Sequence, residues 1–157
     1  MYVNNEFGKL KSVLLCLPTY MEYMPVNEIT NRNLAAGAVY DKQIGVREMK
    51  ALAAAMASAG TVVYFEPPRS DLQGQAWTRD MGFMSPVGAL LGKFKYPYRP
   101  GELDVAGAYL EACGFEVAGR VRTGILEGGD THFLDRYTML VGDGRSTDEG
   151  VADMQRI

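Results

Sequence analysis

Val46-Arg47-Glu48-Met49-Lys50-Ala51-Leu52-Ala53-Ala54-Ala55-Met56-Ala57-Ser58-Ala59-Gly60-Thr61-Val62-Val63-Tyr64-Phe65 is the stretch that decides the fold class. Val46, Met49, Leu52, Ala53 and Met56 recur at helical spacing and predict one apolar face. Gly60 suits the left-handed residue that closes such a helix. The β-rich run at 61–65 then predicts a strand, halted by Pro67-Pro68.

Working outward, the same design returns. A helical pattern over 102–113 ends at Gly114, and Phe115-Glu116-Val117 resumes as a strand. Two short apolar runs precede it, Met81-Gly82-Phe83-Met84 and Ala89-Leu90-Leu91, parted by Ser85-Pro86-Val87-Gly88. The repeating unit is therefore strand, strand, helix, strand, an α/β design. A third unit starts with Tyr137-Thr138-Met139-Leu140-Val141. Ser146-Thr147-Asp148-Glu149 follows with capping-box spacing, and Val151, Met154 and Ile157 give an apolar stripe. No closing glycine or returning strand follows, so the expectation is a chain cut within its third repeat. The rival is a natural C-terminal helix about three turns long. Upstream, 13–17 (Val-Leu-Leu-Cys-Leu) reads as a buried strand.

Composition narrows the classes. The chain has 157 residues, 47% of them hydrophobic and 22% charged, which fits one soluble domain. A net charge of -3 with scattered basic residues argues against a nucleic-acid partner. No apolar run reaches the ~20 residues of a membrane span. The opening Met1-Tyr2-Val3-Asn4-Asn5-Glu6 lacks signal-peptide patterning, so a cytoplasmic location is expected. Cys16 and Cys113 have no metal or disulfide spacing and read as small core residues, and no metal or cofactor is expected.

Two segments hold polar residues that a packed fold does not require. The first is Gln75-Ala76-Trp77-Thr78-Arg79-Asp80-Met81-Gly82-Phe83, with Asp80 at the mouth of an apolar strand. The second is Gly124-Ile125-Leu126-Glu127-Gly128-Gly129-Asp130-Thr131-His132-Phe133-Leu134. Its two glycines are expected to turn the backbone sharply and bring Glu127 and Asp130 together. Gathered carboxylates suit a planar cation such as guanidinium, whose forked donors they accept in pairs. The plainer reading is a tight turn with Asp80 paired to Arg79 or a lysine. Residues 20–27, rich in Tyr and Met, fit a lid over a ligand and a surface flap equally well, and 31–33 (Asn-Arg-Asn) could add polar contacts there.

Trp77-Thr78-Arg79-Asp80 resembles the Phe/Trp-Thr-Arg-Asp motif of the guanidine-modifying superfamily. Leu126-Glu127-Gly128-Gly129-Asp130 resembles that group's Glu-Gly-Gly-Asp motif, and residues 7–15 resemble its first strand. The superfamily comprises arginine deiminases, dimethylarginine dimethylaminohydrolases, arginine dihydrolases and amidinotransferases. The resemblance implies a five-bladed α/β propeller of ββαβ units (the pentein fold), with residues 1–157 forming roughly its N-terminal half. It implies that Asp80 and Glu127 hold the guanidinium nitrogens, that Glu127 also shuttles protons, and that Asp130 supports the turn or adds an acceptor.

Arg99, before the second helix, and Arg145, in a loop that in the family more often reads Arg-Thr-Asn, stand where the family holds an amino acid's carboxylate. Surface pairs of Arg99 with Glu102 and Arg145 with Asp148 are the alternative. The family's acid/base histidine and nucleophilic cysteine have no counterpart here: neither Cys16 nor Cys113 is in a matching position, and His132 is outside the histidine motif. In the complete enzyme a thiolate attacks the guanidinium carbon, histidine protonates the leaving amine, and water or another amine resolves the covalent intermediate.

The implied ligand is arginine or an analogue, and this chain alone is expected to be inactive. The other expected partner is the remainder of the propeller, a partner chain or a second copy. An amidinotransferase piece or a non-catalytic scaffold are the competing functions.

Overall fold

The computed structural model describes residue 3 and residues 5–157, with only the backbone of Pro100. Met1, Tyr2 and Asn4, part of the segment read for a signal peptide, lie outside the described residues. The chain divides into two compact units, one of Leu10–Ala76 and one of Met1–Lys9 with Trp77–Ile157.

In the first unit, β1 (Ser12–Cys16) and β2 (Val62–Glu66) pair in parallel, Ser12 opposite Val62 and Cys16 opposite Glu66. Between them run α1 (Glu28–Ala35) and α2 (Lys42–Ser58). A parallel pair needs such a crossover, because the chain must return to the same end of the sheet. Helix α2 starts a turn before the predicted stretch because Asp41 caps it, accepting 3.0 Å bonds from the Gln43 and Ile44 N–H groups. Val46, Met49, Ala53 and Met56 are covered as predicted, whereas Leu52 is left exposed. Residues 20–27 lead into α1, which Asn27 caps reciprocally with Thr30. Within this flap Glu22 pairs with Lys42, and Tyr23 meets Tyr40 edge-on at 5.9 Å. Asn31, Arg32 and Asn33 lie on α1, where Arg32 pairs with Glu28.

In the second unit, β3 (Gly82–Ser85) and β4 (Gly88–Leu91) form an antiparallel hairpin. Helix α3 (Pro100–Ala112) crosses over to β5 (Val117–Arg120), parallel to β4. A second hairpin, β6 (Thr131–Phe133) with β7 (Met139–Val141), is followed by α4 (Asp148–Met154). Met81, Phe94, Leu103 and Ala106 pack together beneath α3. Leu90, Val121 and Leu126 form another core, joined by Phe83, Val141, Val151 and Met154. That core ties both hairpins and α4 into one body through burial of apolar side chains.

The repeat holds at the level of single hydrogen bonds. Thr61 N–H reaches the Met56 carbonyl at 3.0 Å, and Phe115 N–H reaches the Leu110 carbonyl at 3.0 Å. Gly60 and Gly114 stand at φ +84° and +82°, the left-handed conformation that this helix ending needs. Among the described residues no helix is long and apolar enough to cross a membrane.

Candidate functional site

All five residues singled out for a site lie in the second unit, and four of them form two arginine–carboxylate pairs. Asp80 sits in a one-turn 3-10 helix, Thr78–Met81, that leads into β3. Glu127 immediately precedes a matching turn, Gly128–Asp130, that leads into β6. Each hairpin is thus preceded by a carboxylate-bearing turn, and each is followed by an arginine that reaches back. Arg99 lies 19 residues beyond Asp80 and donates from Nη1 to Asp80 Oδ2 at 2.8 Å. Arg145, at nearly the same remove from Glu127, brings Nη1 to within 2.7 Å of Glu127 Oε2.

The two pairs differ in their surroundings. Arg99 is only 4% exposed, lies 4.2 Å from the centre of the Phe94 ring, and donates from Nε and Nη2 to Glu102 Oε2 at 3.0 and 2.8 Å. Burial works to lower its pKa, but its bonds to Glu102 and then Asp80 outweigh that and hold it above the ordinary value. Glu102 is itself 1% exposed. The predicted alternative pairing of Arg99 with Glu102 is therefore present, with Asp80 on the other side. Arg145 is more open and pairs with Glu127 rather than with Asp148.

Glu127 is the most enclosed of the candidate carboxylates, at 1% exposure. An antiparallel bridge between Lys93 and Leu126 carries it alongside the strand leaving β4. Its Oε1 accepts the Lys95 N–H at 3.0 Å. Its Oε2 has the Arg145 charge close by, yet no donor among the described residues is aligned to hydrogen-bond it. Asp130 Oδ2 accepts from Ser146 N–H at 2.9 Å and from Ser146 Oγ at 2.7 Å, while the same Oγ accepts the Glu127 N–H at 3.1 Å. Ser146 thereby links the two acidic residues of the Glu-Gly-Gly-Asp turn. Sequence reading missed it by assigning it to a capping box; the cap of α4 is Thr147, which accepts from Gly150 N–H at 3.2 Å.

The glycines of that turn serve a purpose other than the predicted one. Neither has a positive φ. A Cβ on Gly128 would collide with the carbonyls of Arg79 and Gly82, and one on Gly129 would stand 2.7 Å from Asp80 Oδ1. Gly128 is glycine because the backbone of the other carboxylate-bearing turn packs against it, and Gly129 because the Asp80 side chain does. Arg79, offered as a partner for Asp80, instead donates to the Thr131 carbonyl and lies 3.6 Å from Glu6. His132 is exposed on β6, Cys16 is fully enclosed and Cys113 is half-buried. Among the described residues no group of three or more His, Cys, Asp or Glu side chains is placed to hold a metal ion.

Comparison with known proteins bears on the fold. No protein-family model matches the chain. It is 30% identical over 143 residues to the uncharacterized protein YkgA of Bacillus subtilis (strain 168), covering 91% of this chain and 49% of that one. The chain therefore spans about half the length of that curated relative. Among solved structures, an adduct of a dimethylarginine dimethylaminohydrolase variant with S-methyl-L-thiocitrulline superposes with a TM-score of 0.74 at 13% identity, over 94% of this chain and 57% of that one. The N-terminal domain of ArgZ, an arginine dihydrolase from the ornithine-ammonia cycle in Cyanobacteria, gives 0.64 at 19% identity, over 77% and 43%. A complex of an AgrE mutant with L-arginine gives 0.66 at 17% identity, over 78% and 18%. The chain thus shares the mixed α/β fold of these three solved structures.

Proposed function

We propose that this chain is the N-terminal part of a guanidino-group hydrolase of the arginine deiminase or dimethylarginine dimethylaminohydrolase type. It supplies the carboxylates that hold the guanidinium, and the histidine and cysteine of the covalent step lie in the rest of the enzyme. The observation that carries the reading is Glu127: a carboxylate 1% exposed whose Oε2 already meets one guanidinium, that of Arg145, at 2.7 Å. With Arg145 turned to a ligand carboxylate, the same oxygen would accept an N–H of the ligand's guanidinium.

Charge supports the same reading. Among the described ion pairs, Asp80 and Glu102 share Arg99 and Glu127 pairs with Arg145, while Asp130 is held by Ser146, a set of carboxylates that suits a cation. In the proposed arrangement Asp80 and Glu127 take the guanidinium nitrogens and Glu127 passes a proton. Asp130 stiffens the turn through Ser146. Arg145, the more open arginine, meets a ligand carboxylate, while buried Arg99 holds the Asp80 end. Fixing a planar cation beside the nucleophile removes much of the entropic barrier, and the carboxylates stabilise its charge away from water. The ligand is arginine or an analogue, as in the AgrE complex. A single five-bladed propeller, of which residues 1–157 reach into the third unit, would be completed by further chain or by a partner, in the cytoplasm.

The test is calorimetric titration with L-arginine of this chain and of the longest natural polypeptide containing it. Asp80→Ala and Glu127→Ala are each expected to weaken binding at least tenfold, about the worth of a lost charge-assisted hydrogen bond. Unchanged affinity in both variants would remove the assignment and favour a non-catalytic scaffold.

A further inference from the structure

The loop between β4 and α3 contains a feature that the carboxylates do not explain. It is pinned on both sides to the two candidate acids: Lys95 donates its N–H to Glu127 Oε1 at 3.0 Å, and Arg99 donates from Nη1 to Asp80 Oδ2 at 2.8 Å. Only Tyr96, Pro97 and Tyr98 lie between the pins. The two tyrosine rings are stacked, 5.6 Å between centres and 15° from parallel, and Tyr98 remains 43% exposed. A turn closed by Arg99 N–H to the Tyr96 carbonyl at 3.4 Å, together with the fixed φ of Pro97, stiffens the segment.

Resting on the guanidinium reading above, we propose that Tyr98, backed by Tyr96, is the aromatic face against which a planar cation held by Asp80 and Glu127 stacks. The face makes the site selective for guanidinium over ammonium. Carboxylates alone attract any cation; a tetrahedral ammonium has no flat surface to lay on a ring, whereas a guanidinium stacks on it as well as ion-pairing at its edge. Tyr98 adjoins Arg99, whose guanidinium pairs with Asp80, and lies three residues after Lys95, whose N–H holds Glu127. Partial burial, first, and Tyr96, second, push its phenol above the ordinary value, so the ring stays neutral at pH 7. The stack is local in sequence and half open to solvent, and neither ring belongs to the two apolar cores, so truncating Tyr98 leaves them intact.

The experiment compares methylguanidinium chloride with methylammonium chloride, titrated calorimetrically into this chain at equal ionic strength. The native chain is expected to prefer methylguanidinium. Tyr98→Ala is expected to weaken methylguanidinium about three- to tenfold, the range of a partly exposed cation–π contact, and to weaken methylammonium less, so that the native preference narrows. Tyr98→Phe, which keeps the ring and drops the hydroxyl, is expected to retain the preference. If Tyr98→Phe falls as far as Tyr98→Ala, the hydroxyl rather than the face is responsible and the proposal fails. If Glu127→Gln abolishes binding while Tyr98→Ala keeps the native ratio, the aromatic face is wrong and the carboxylate reading stands. A native chain that binds neither ion overturns both.

Discussion

Arg99 carries its charge where water barely reaches it, and the two carboxylates beside it make that possible. With Asp80 and Glu102 the group is a buried triad of net negative charge. Removing its one cation leaves two carboxylates uncompensated, and breaking a buried ionic group in this way typically costs ~3–5 kcal/mol. Arg99→Ala is therefore expected to lower unfolding stability by about that much, measured by urea denaturation. Glu28→Ala, which breaks the exposed Arg32–Glu28 pair on α1, should cost under ~1 kcal/mol. Equal losses in the two variants would show that the triad is not buried as described. Sequence reading reached the Arg99–Glu102 pair because the partners are three residues apart on one helix turn. It could not reach Asp80 as the other partner, because that contact depends on how two distant turns pack. The same limit applies to Gly128 and Gly129. Flexibility was the local explanation available, whereas the real one is the close approach of another backbone at Gly128 and of the Asp80 carboxylate at Gly129.

At the scale of elements, α4 is held to the unit by more than its apolar stripe. Asp153, near the end of α4, accepts the N–H groups of Arg122 at 2.6 Å and Thr123 at 3.1 Å, beyond β5. Those two backbone donors, Arg122 first, hold its carboxyl below the ordinary aspartate range. A carboxyl depressed in the folded state stabilises it above the unfolded pKa of about 3.9, and that contribution is lost as pH falls through the folded value. Asp153→Asn is thus expected to melt at a lower temperature than the native chain at pH 7, with the gap narrowing in acid; a gap independent of pH would mean that the carboxylate charge plays no part. Helices α2 and α3 were legible because apolar period and closing glycine are local signals. Where α4 begins was less so: Ser146 and Thr147 are both acceptable caps, and the choice falls to Thr147 because Asp130 engages Ser146. Strand β5 likewise begins at Val117 rather than Phe115, since Phe115 is taken into the hydrogen bond that closes α3.

At the scale of the whole molecule, the proposed function divides the work between holding a cation and breaking its bonds. The carboxylates lie together, but the thiols are poorly placed for attack: Cys16 has no exposed surface, and Cys113 ends α3 with its backbone committed to the helix cap. A covalent step on a guanidinium carbon needs an accessible thiolate beside the bound ligand and an acid for the leaving amine. This chain is therefore expected to bind arginine without turning it over. Incubation with arginine should release no ammonia, amine or citrulline-like product, and intact mass should show no adduct on either cysteine. An adduct on Cys113, or steady product release, would overturn the division of labour. The complementary measurement is the natural reading frame and the mass of the native polypeptide. If the chain continues past Ile157 into a His-x-Asp segment and a distal cysteine, the longer polypeptide should turn arginine or an analogue over. Glu127→Gln should then abolish turnover in it, because on the proposed reading the guanidinium-holding carboxylates are indispensable to chemistry performed elsewhere.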